Sequence, residues 1–449
     1  MNIDNSETIV AIATARGEGS IAIIRLSGSQ SLEIAQRISK NKILQPRYAT
    51  LSKLYDTKDG FVIDEAIIIY FKAPYSFTGE DIVEFQVHGG IAVANLILEN
   101  VLRSGARLAN PGEFSKRAFE FGKIDLTKAE AIAKLISAKS DDAVKLLARQ
   151  LTGELQLFVE KIREDLIFSL ACSEVGIDYA EEDLPDDLTN SIKVKLENTL
   201  QKLKNTLEIS KRREGMIDGF KVSIIGKPNV GKSSILNALL SYDRAIVSSI
   251  AGTTRDTIEE SVKIGTHLIK IVDTAGIRDA SDEIEQIGIE RSKKAIDESK
   301  IIIAIFDNSR ACDNEDEKIL DILQNSPDKE VIFVLNKMDL ESQFDTNRLS
   351  DFISLSSKNT ILPLAKAIEQ ILDTNTGEDE MTLVSKRQIV CVEQTIDSVA
   401  TSMRMLNDGA LELFSFYVKE SISSISEITR PFDNDQMLDV MFNSFCLGK

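Results

Sequence analysis

Cysteine is scarce in this chain. Cys172, Cys312, Cys391 and Cys446 are scattered over 449 positions, a pattern that excludes a disulfide framework and the paired spacing of a zinc site and suits a reducing cytoplasm. Positive charge is outweighed, with 53 Lys and Arg against 71 Asp and Glu. The formal balance is −18, so the chain cannot coat nucleic acid by bulk electrostatics, and any RNA contact must be a local patch or be shared with a partner. No apolar run approaches membrane-spanning length, and Met1-Asn2-Ile3-Asp4-Asn5-Ser6-Glu7 is too acidic and polar to act as a signal peptide. Internal repeats and low-complexity tracts are missing as well.

What is present is an ordinary globular composition, 43% hydrophobic and 28% charged, at a length that allows about three domains. One stretch organises it. Gly226-Lys227-Pro228-Asn229-Val230-Gly231-Lys232-Ser233 fits the phosphate-binding loop pattern without a mismatch, between the apolar run Val222 to Ile225 and a helical pattern from Ser234 to Leu240. Its glycines let several backbone N–H groups converge on one anion, and the following helix adds its positive end. Lys232 would reach the β and γ phosphates, and the Ser233 hydroxyl would sit on Mg²⁺.

Further nucleotide motifs follow in order. Gly252-Thr253-Thr254-Arg255-Asp256 precedes predicted strands over Val262 to Ile264 and His267 to Val272; a threonine there can complete Mg²⁺ coordination and sense the γ phosphate. Asp273-Thr274-Ala275-Gly276 ends the second strand, with Asp273 able to hold Mg²⁺ through water. The predicted strand Val331 to Leu335 runs into Asn336-Lys337-Met338-Asp339, where a carboxylate can accept the two N–H bonds that guanine offers and adenine does not. Ser356-Ser357-Lys358 stands where a last guanine-contacting loop belongs, with Ser357 in place of the more usual alanine. The ordered set is that of a GTPase. Ile277 occupies the position where Ras-like proteins carry the glutamine that orients water, so hydrolysis must be very slow or recruit another group. Asn229, beside the phosphates, could hold a cation through its amide oxygen or simply make a turn. Several acids between Asp279 and Glu290 could position water, although a solvated helix start accounts for any single one of them.

Around this unit the pattern is different. Up to about residue 120 the chain reads as a small α+β domain, with strands over Thr8 to Ala13, Ile21 to Leu26, Ala66 to Phe71 and Ile82 to Val87, and helices over Ser31 to Ile38, Ile91 to Arg103 and from Glu113 to Phe119. From Leu126 to about Ser210 apolar residues recur every three or four positions, interrupted by an acidic loop at Glu181 to Asp187. Helical patterns return after an acidic linker from Asp373 to Glu380. Two helical halves thus flank the nucleotide unit, as when one domain is inserted into an exposed loop of another. The expected division is 1–120, 121–217, 218–373 and 374–449.

Several of these stretches resemble the tRNA modification GTPase MnmE (TrmE) family. Gly-Lys-Pro-Asn-Val-Gly-Lys-Ser-Ser, Gly-Thr-Thr-Arg-Asp and Asp-Thr-Ala-Gly-Ile-Arg with the following Glu-Ile-Glu-Gln-Ile-Gly-Ile-Glu are similar to that family's motifs. So are Phe77-Thr78-Gly79-Glu80-Asp81, Val87-His88-Gly89-Gly90, Pro111-Gly112-Glu113-Phe114 and Lys123-Ile124-Asp125-Leu126. The ending Phe445-Cys446-Leu447-Gly448-Lys449 is similar to a Cys-Ile-Gly-Lys tail with Leu for Ile. Ala15-Arg16 departs from the Pro-Pro of the family.

The resemblance implies a multidomain fold: an α+β N-terminal folate-binding and dimerising domain, an all-α helical domain, and an inserted α/β P-loop GTPase domain. It implies a K⁺-activated GTPase that forms a homodimer and joins a flavoprotein partner, MnmG (GidA), in a heterotetramer, with FAD held only by the partner. Together they would add a carboxymethylaminomethyl or aminomethyl group to carbon 5 of the wobble uridine of certain tRNAs. The one-carbon unit would come from a 5-formyl or methylene tetrahydrofolate, in the cytoplasm and without a membrane. Carried over by position, Arg25, Glu84, Lys123 and Lys449 would contact folate, and Cys446 would be the tail thiol. Mg²⁺ would sit on Ser233 and Thr254; K⁺ would take ligands from Asn229, Ser248, Ile250 and Thr253. GTP would be held by Asn229, Val230, Gly231, Lys232, Ser233 and Ser234, by Ser248, Ser249, Ile250, Ala251, Gly252, Thr253 and Thr254, by Asp273, Thr274, Ala275 and Gly276, and by Asn336, Lys337, Asp339, Ser356, Ser357 and Lys358. Glu285 would orient the hydrolytic water, with Lys232 and Asn229 completing the catalytic set. Two alternatives stand beside this: a ribosome-assembly GTPase acting as an RNA-binding switch, disfavoured by the missing KH-type Gly-x-x-Gly loop, and a GTP-regulated scaffold without tRNA chemistry, which bound folate would exclude.

Overall fold

The computed structural model describes residues 7–15, 17–178, 186–242, 260–272, 296–297, 299–349, 351–356, 360–374, 380–430, 438, 441–443, 445 and 448. The chain forms two compact units. One comprises Met1–Ala133, Gln156–Glu164 and Ile422–Lys449, the other Lys134–Leu155 and Asp165–Ser421.

The first unit is built on a six-stranded sheet: β1 (Ile9–Ile12), β2 (Ile21–Ser27), β3 (Thr50–Tyr55), β4 (Val62–Phe71), β5 (Ile82–His88) and β6 (Arg107–Leu108), in the order β3-β4-β5-β2-β1-β6. Only the β1–β6 pair is parallel. Strand alternation gives it two faces. Ile24, Leu26, Val83, Phe85 and Ile68 turn inward to a core closed by α1 (Ser31–Ser39) and α2 (Ile91–Arg103), through Ile34, Ile38, Ile97 and Val101. The alternate residues, among them Arg25 and Glu84, lie on the other face as a directly paired cross-strand couple.

Two short helices, α3 (Glu113–Glu120) and α4 (Leu126–Ser137), carry a separate apolar cluster in which Leu126, Ala129 and Phe119 meet Phe442, Met441 and Phe445 of the C-terminal segment. The approach is close. Gly112 holds φ +67, and a Cβ there would collide with the carbonyl of Phe442. Farther on, Gly448 (φ +94) lies against the Ile12 carbonyl and the Ala13 backbone at the end of β1, so the end of the chain returns to its beginning.

The second unit holds α5 (Asp141–Leu151), most of α6 (Glu154–Asp178), α7 (Asp186–Arg212), α11 (Lys386–Asn407) and most of α12 (Leu411–Ser426). Interposed between α7 and α11 are β7 (Phe220–Ile225), α8 (Lys232–Tyr242), β8 (Glu260–Ile264), β9 (His267–Val272), β10 (Ile301–Asp307), α9 (Asn314–Gln324), β11 (Glu330–Asn336), β12 (Ile353–Ser354) and α10 (Leu362–Thr374). Asp373 and Thr374 thus finish a helix rather than starting the linker, and Asp186 and Asp187 open α7 rather than ending an acidic loop. The sheet order is β12-β11-β10-β7-β9-β8, parallel except for the β8–β9 hairpin. Its apolar residues fill two clusters, one on each face, with α8 and α10 supplying Leu236, Leu239, Leu364 and Ile368 to one of them.

The helices before and after the interposed part clasp each other. Arg213 donates to the Glu380 carbonyl at 3.0 Å and to Thr382 Oγ1 at 2.6 Å, the Leu383 N–H donates to Ser210 Oγ at 2.8 Å, and Lys211 pairs with Glu393 at 2.7 Å. A second joint forms on β9, where buried His267 faces Asp142 of α5 at 3.3 Å and Asp373 of α10 at 2.8 Å. Among the described residues no helix is long and apolar enough to cross a membrane.

Candidate functional site

Parallel strands open a binding crevice at their C-terminal ends where the strand order reverses. β7 lies between β10 and β9, and the phosphate-loop residues leave its C-terminal end. The sharp turn requires backbone conformations that few residues adopt. Gly226 has φ +149, and a Cβ there would press on the Ile305 carbonyl; Gly231 has φ +102. Asn229 is left-handed at φ 63, the region asparagine tolerates best after glycine. Lys232 and Ser233 open the first turn of α8, where free N–H groups favour anions. Lys232 Nζ donates to the carbonyls of Gly226 at 2.6 Å and Lys227 at 2.7 Å. Burial, reinforced by the charge of Arg310, brings its ammonium down to about 8.

The loops after β11 and β12 dock on the same edge. Asn336 at the end of β11 donates through Nδ2 to the Val230 carbonyl at 2.8 Å, binding this motif to the phosphate loop. Lys337, left-handed at φ 64, donates to Asp307 Oδ2 at 2.6 Å. Burial raises the Asp307 carboxyl, but Lys337 and the Ser309 hydroxyl and N–H outweigh it and lower its pKa. Ser356 Oγ donates to Asp339 Oδ1 at 2.9 Å, and the Met338 N–H bonds the Leu355 carbonyl, so the loops after β11 and β12 meet. Phosphate loop, Asn336, Lys337, Asp339 and Ser356 are therefore brought together.

Sequence motifs do not announce the next contacts. Lys227 is 5% exposed in its side chain and bonds Asp313 and, at 3.3 Å, Asp316. Burial opposes its ammonium, but those two carboxylates prevail and raise its pKa. In return the Asp313 carboxyl is held down at about 2, first by Lys227. Asp313 also caps α9 in a reciprocal capping box with Asp316. One helix start thereby anchors the phosphate loop. Beside it a cavity of about 570 Å³ is lined by Lys227, Pro228, Asn229, Arg310, Asp313, Asn314 and Glu315.

In the first unit, Arg25 meets Glu84 with Nη2 at 2.8 Å and Nε at 2.9 Å, the guanidinium lying 6.0 Å from the Phe77 ring and 5.9 Å from the Phe114 ring. The Phe77-Thr78-Gly79-Glu80 segment is pinned by Thr78 to Ser27 at 2.7 Å and by Glu80 to fully buried Arg117 at 3.1 Å. Lys123 packs its stem on Gly79 and donates Nζ to the Pro74 carbonyl at 2.7 Å. Arg25, Glu84 and Lys123 thus share the neighbourhood of one loop. Ser248, Ser249, Ile250, Ala251, Gly252, Thr253, Thr254, Asp273, Thr274, Ala275, Gly276, Glu285, Ser357, Lys358, Cys446 and Lys449 lie outside the described residues.

Two family models match the chain, one described as GTP-binding protein TrmE N-terminus over residues 8–123 and one as MnmE helical domain over residues 126–446. The chain is similar to the protein called tRNA modification GTPase MnmE in Aliarcobacter butzleri, at 64% identity over 444 residues and 99% of each chain. It is similar to the protein of the same description in Sulfurimonas denitrificans, at 59% identity over 446 residues, 99% of this chain and 100% of that one. With the Nitratiruptor sp. protein so described it shares 57% identity over 452 residues and 100% of both.

Proposed function

The chain belongs to the tRNA modification GTPase MnmE family, and from that premise we propose that it couples GTP hydrolysis to one-carbon chemistry at carbon 5 of the tRNA wobble uridine, together with a flavoprotein partner. GTP with Mg²⁺ occupies the phosphate loop in this reading, with Ser233 as the described Mg²⁺ ligand. The N–H groups at the start of α8 and the Lys232 ammonium receive the phosphates, and Asp339 accepts the guanine N–H groups. Asn229 fits a monovalent cation: its left-handed turn sets its side chain on the wall of the cavity beside the phosphates. K⁺ there would supply positive charge next to the transferring phosphoryl group.

A reduced folate fits the first unit. A pteridine is flat and carries a donor edge; Glu84 is a carboxylate acceptor paired with Arg25, and the ring of part-buried Phe77 lies 6.0 Å from that guanidinium. When bound, the folate would supply the one-carbon unit. The observation that carries this reading is the return of the tail. Gly448 lies against Ile12 and Ala13, and in the β1–β2 ladder Ala11 is the partner of Arg25. The chain end thus reaches the strand beside the Arg25–Glu84 couple, which supports a role for Lys449 and Cys446 there.

Calorimetric titration of 5-formyltetrahydrofolate into the full chain tests it. Arg25→Ala and deletion of Gly448 and Lys449 are each expected to weaken binding at least tenfold while GTP hydrolysis persists. Wild-type affinity in the truncated chain would remove the tail from the site. Wobble uridines that stay fully modified in cells lacking the gene would remove the tRNA reading itself.

A further inference from the structure

Helix α3 stands between two parts of the first unit that share no motif. Phe114, Arg117 and Phe121, three and four positions apart with Phe121 just past the helix end, turn to the loop over residues 77–80. Gly112 and Phe119, seven positions apart, turn to the C-terminal segment. Arg117 is fully buried. Its Nη1 donates to both carboxylate oxygens of Glu80 and to the Glu7 carbonyl, each at 3.1 Å, and its Nη2 to Glu113 Oε1 at 3.0 Å. Glu113 is held independently by Arg107 at 2.7 Å and the Asn110 N–H at 2.8 Å, whereas Glu80 adds only the Ser27 hydroxyl at 2.7 Å. Of the two carboxylates, Glu80 leans harder on Arg117.

Ion pairs taken out of water add little net stability, so the value of this one lies in where it holds the loop. That loop brings Phe77 to the Arg25 guanidinium and Gly79 against the Lys123 stem. On the opposite side, Phe119 and Phe442 stack with ring centroids 6.3 Å apart, and Gly112 leaves no room for a Cβ beneath the Phe442 carbonyl. We propose that Arg117 is a positioning residue of the folate site and that α3 couples the loop over residues 77–80 to the docked tail. A helix of eight residues shifts as one body. Docked Phe442 therefore holds α3 where Arg117 sets the loop, and folate seated against the loop holds α3 where Phe442 docks. Such coupling is reciprocal.

This rests on the folate reading, and the test separates the two. Calorimetric titration of 5-formyltetrahydrofolate into the full chain would compare wild type, Glu80→Gln, Arg117→Lys, Phe442→Ala and the double variant of Glu80→Gln and Phe442→Ala. Each titration is run below the melting transition of that variant, which is measured alongside. Glu80→Gln removes a charge-assisted bond, so folate should bind roughly tenfold more weakly. Arg117→Lys keeps the charge and should lose less. Phe442→Ala should weaken folate as well, and the double variant should lose less than the product of the two single losses, since both act through α3. A residue that only stabilises the fold would lower the melting temperature and leave folate affinity unchanged. That result for Glu80→Gln and Arg117→Lys overturns the positioning role, and losses that multiply in full overturn the coupling. If either variant does not fold, Ser27→Ala, which takes the other bond from Glu80, carries the comparison. Wild type that binds no folate would instead remove the folate reading on which the proposal stands.

Discussion

At Lys232 a single proton links the loop to its ligand. Burial and Arg310 lower the free ammonium to about 8, whereas phosphate oxygens around it would restore the charged form. The nucleotide-bound pKa is therefore the higher one. Binding is complete below the free value and is lost as pH rises through it. GTP affinity should stay level up to about pH 7 and weaken about tenfold between about pH 7 and about pH 9, read by nucleotide fluorescence at constant ionic strength. A flat profile across that window would take the lysine away from the phosphates. The residues that form this site were unequally legible beforehand. Gly226, Lys232, Ser233, Asn336, Lys337 and Asp339 sit at spacings fixed by backbone geometry, so a linear pattern reveals them. Lys227 and Asp307 act through partners dozens of positions away, across turns whose direction only the folded chain supplies.

Elements with alternating or helical periodicity were equally legible. Ile91–Arg103 matches its predicted helix end to end, and β2, β5 and β9 lie where alternation or apolar runs put them. Ile301–Asp307 carries no motif and no alternation because every residue in it is buried between two parallel neighbours, so it goes unmarked although it forms the middle of the sheet. β3, at a sheet edge with exposed Leu51 and Lys53, has too weak a pattern to stand out. The C-terminal element can be tested directly. Phe442 is 1% exposed among Phe119, Leu126 and Phe445. Phe442→Ala should remove about 3–5 kcal/mol from the docking of this segment. Scanning calorimetry should show an earlier transition for the first unit, and limited proteolysis should cut near the C-terminus first. An unchanged melt with a protected tail would mean that the aromatic cluster does not hold it.

The whole molecule carries a formal net charge of −18, which leaves little general attraction for an RNA backbone. Within the second unit, nucleotide part and helices meet at His267, buried between Asp142 and Asp373 and edge-on to Phe220 at 6.0 Å. Replacing it by leucine takes one partner from each carboxylate, although Asp142 keeps the Thr266 hydroxyl and Asp373 is open to water. His267→Leu should cost about 1–3 kcal/mol, while His267→Gln, which keeps a donor, should cost less; urea melts followed by nucleotide fluorescence would compare them, and equal costs would reduce the joint to packing.

The clasp of Arg213 and Ser210 on Glu380, Thr382 and Leu383 has a mechanical side. The nucleotide-binding part enters and leaves the second unit through one fastened point, like a closed loop hung from a buckle. Tension applied along α7 and α11 meets the buckle first. The phosphate loop is shielded from such pulling while those bonds and the His267 joint to α5 hold, and β7, the strand from which the loop springs, carries the strain once both have parted.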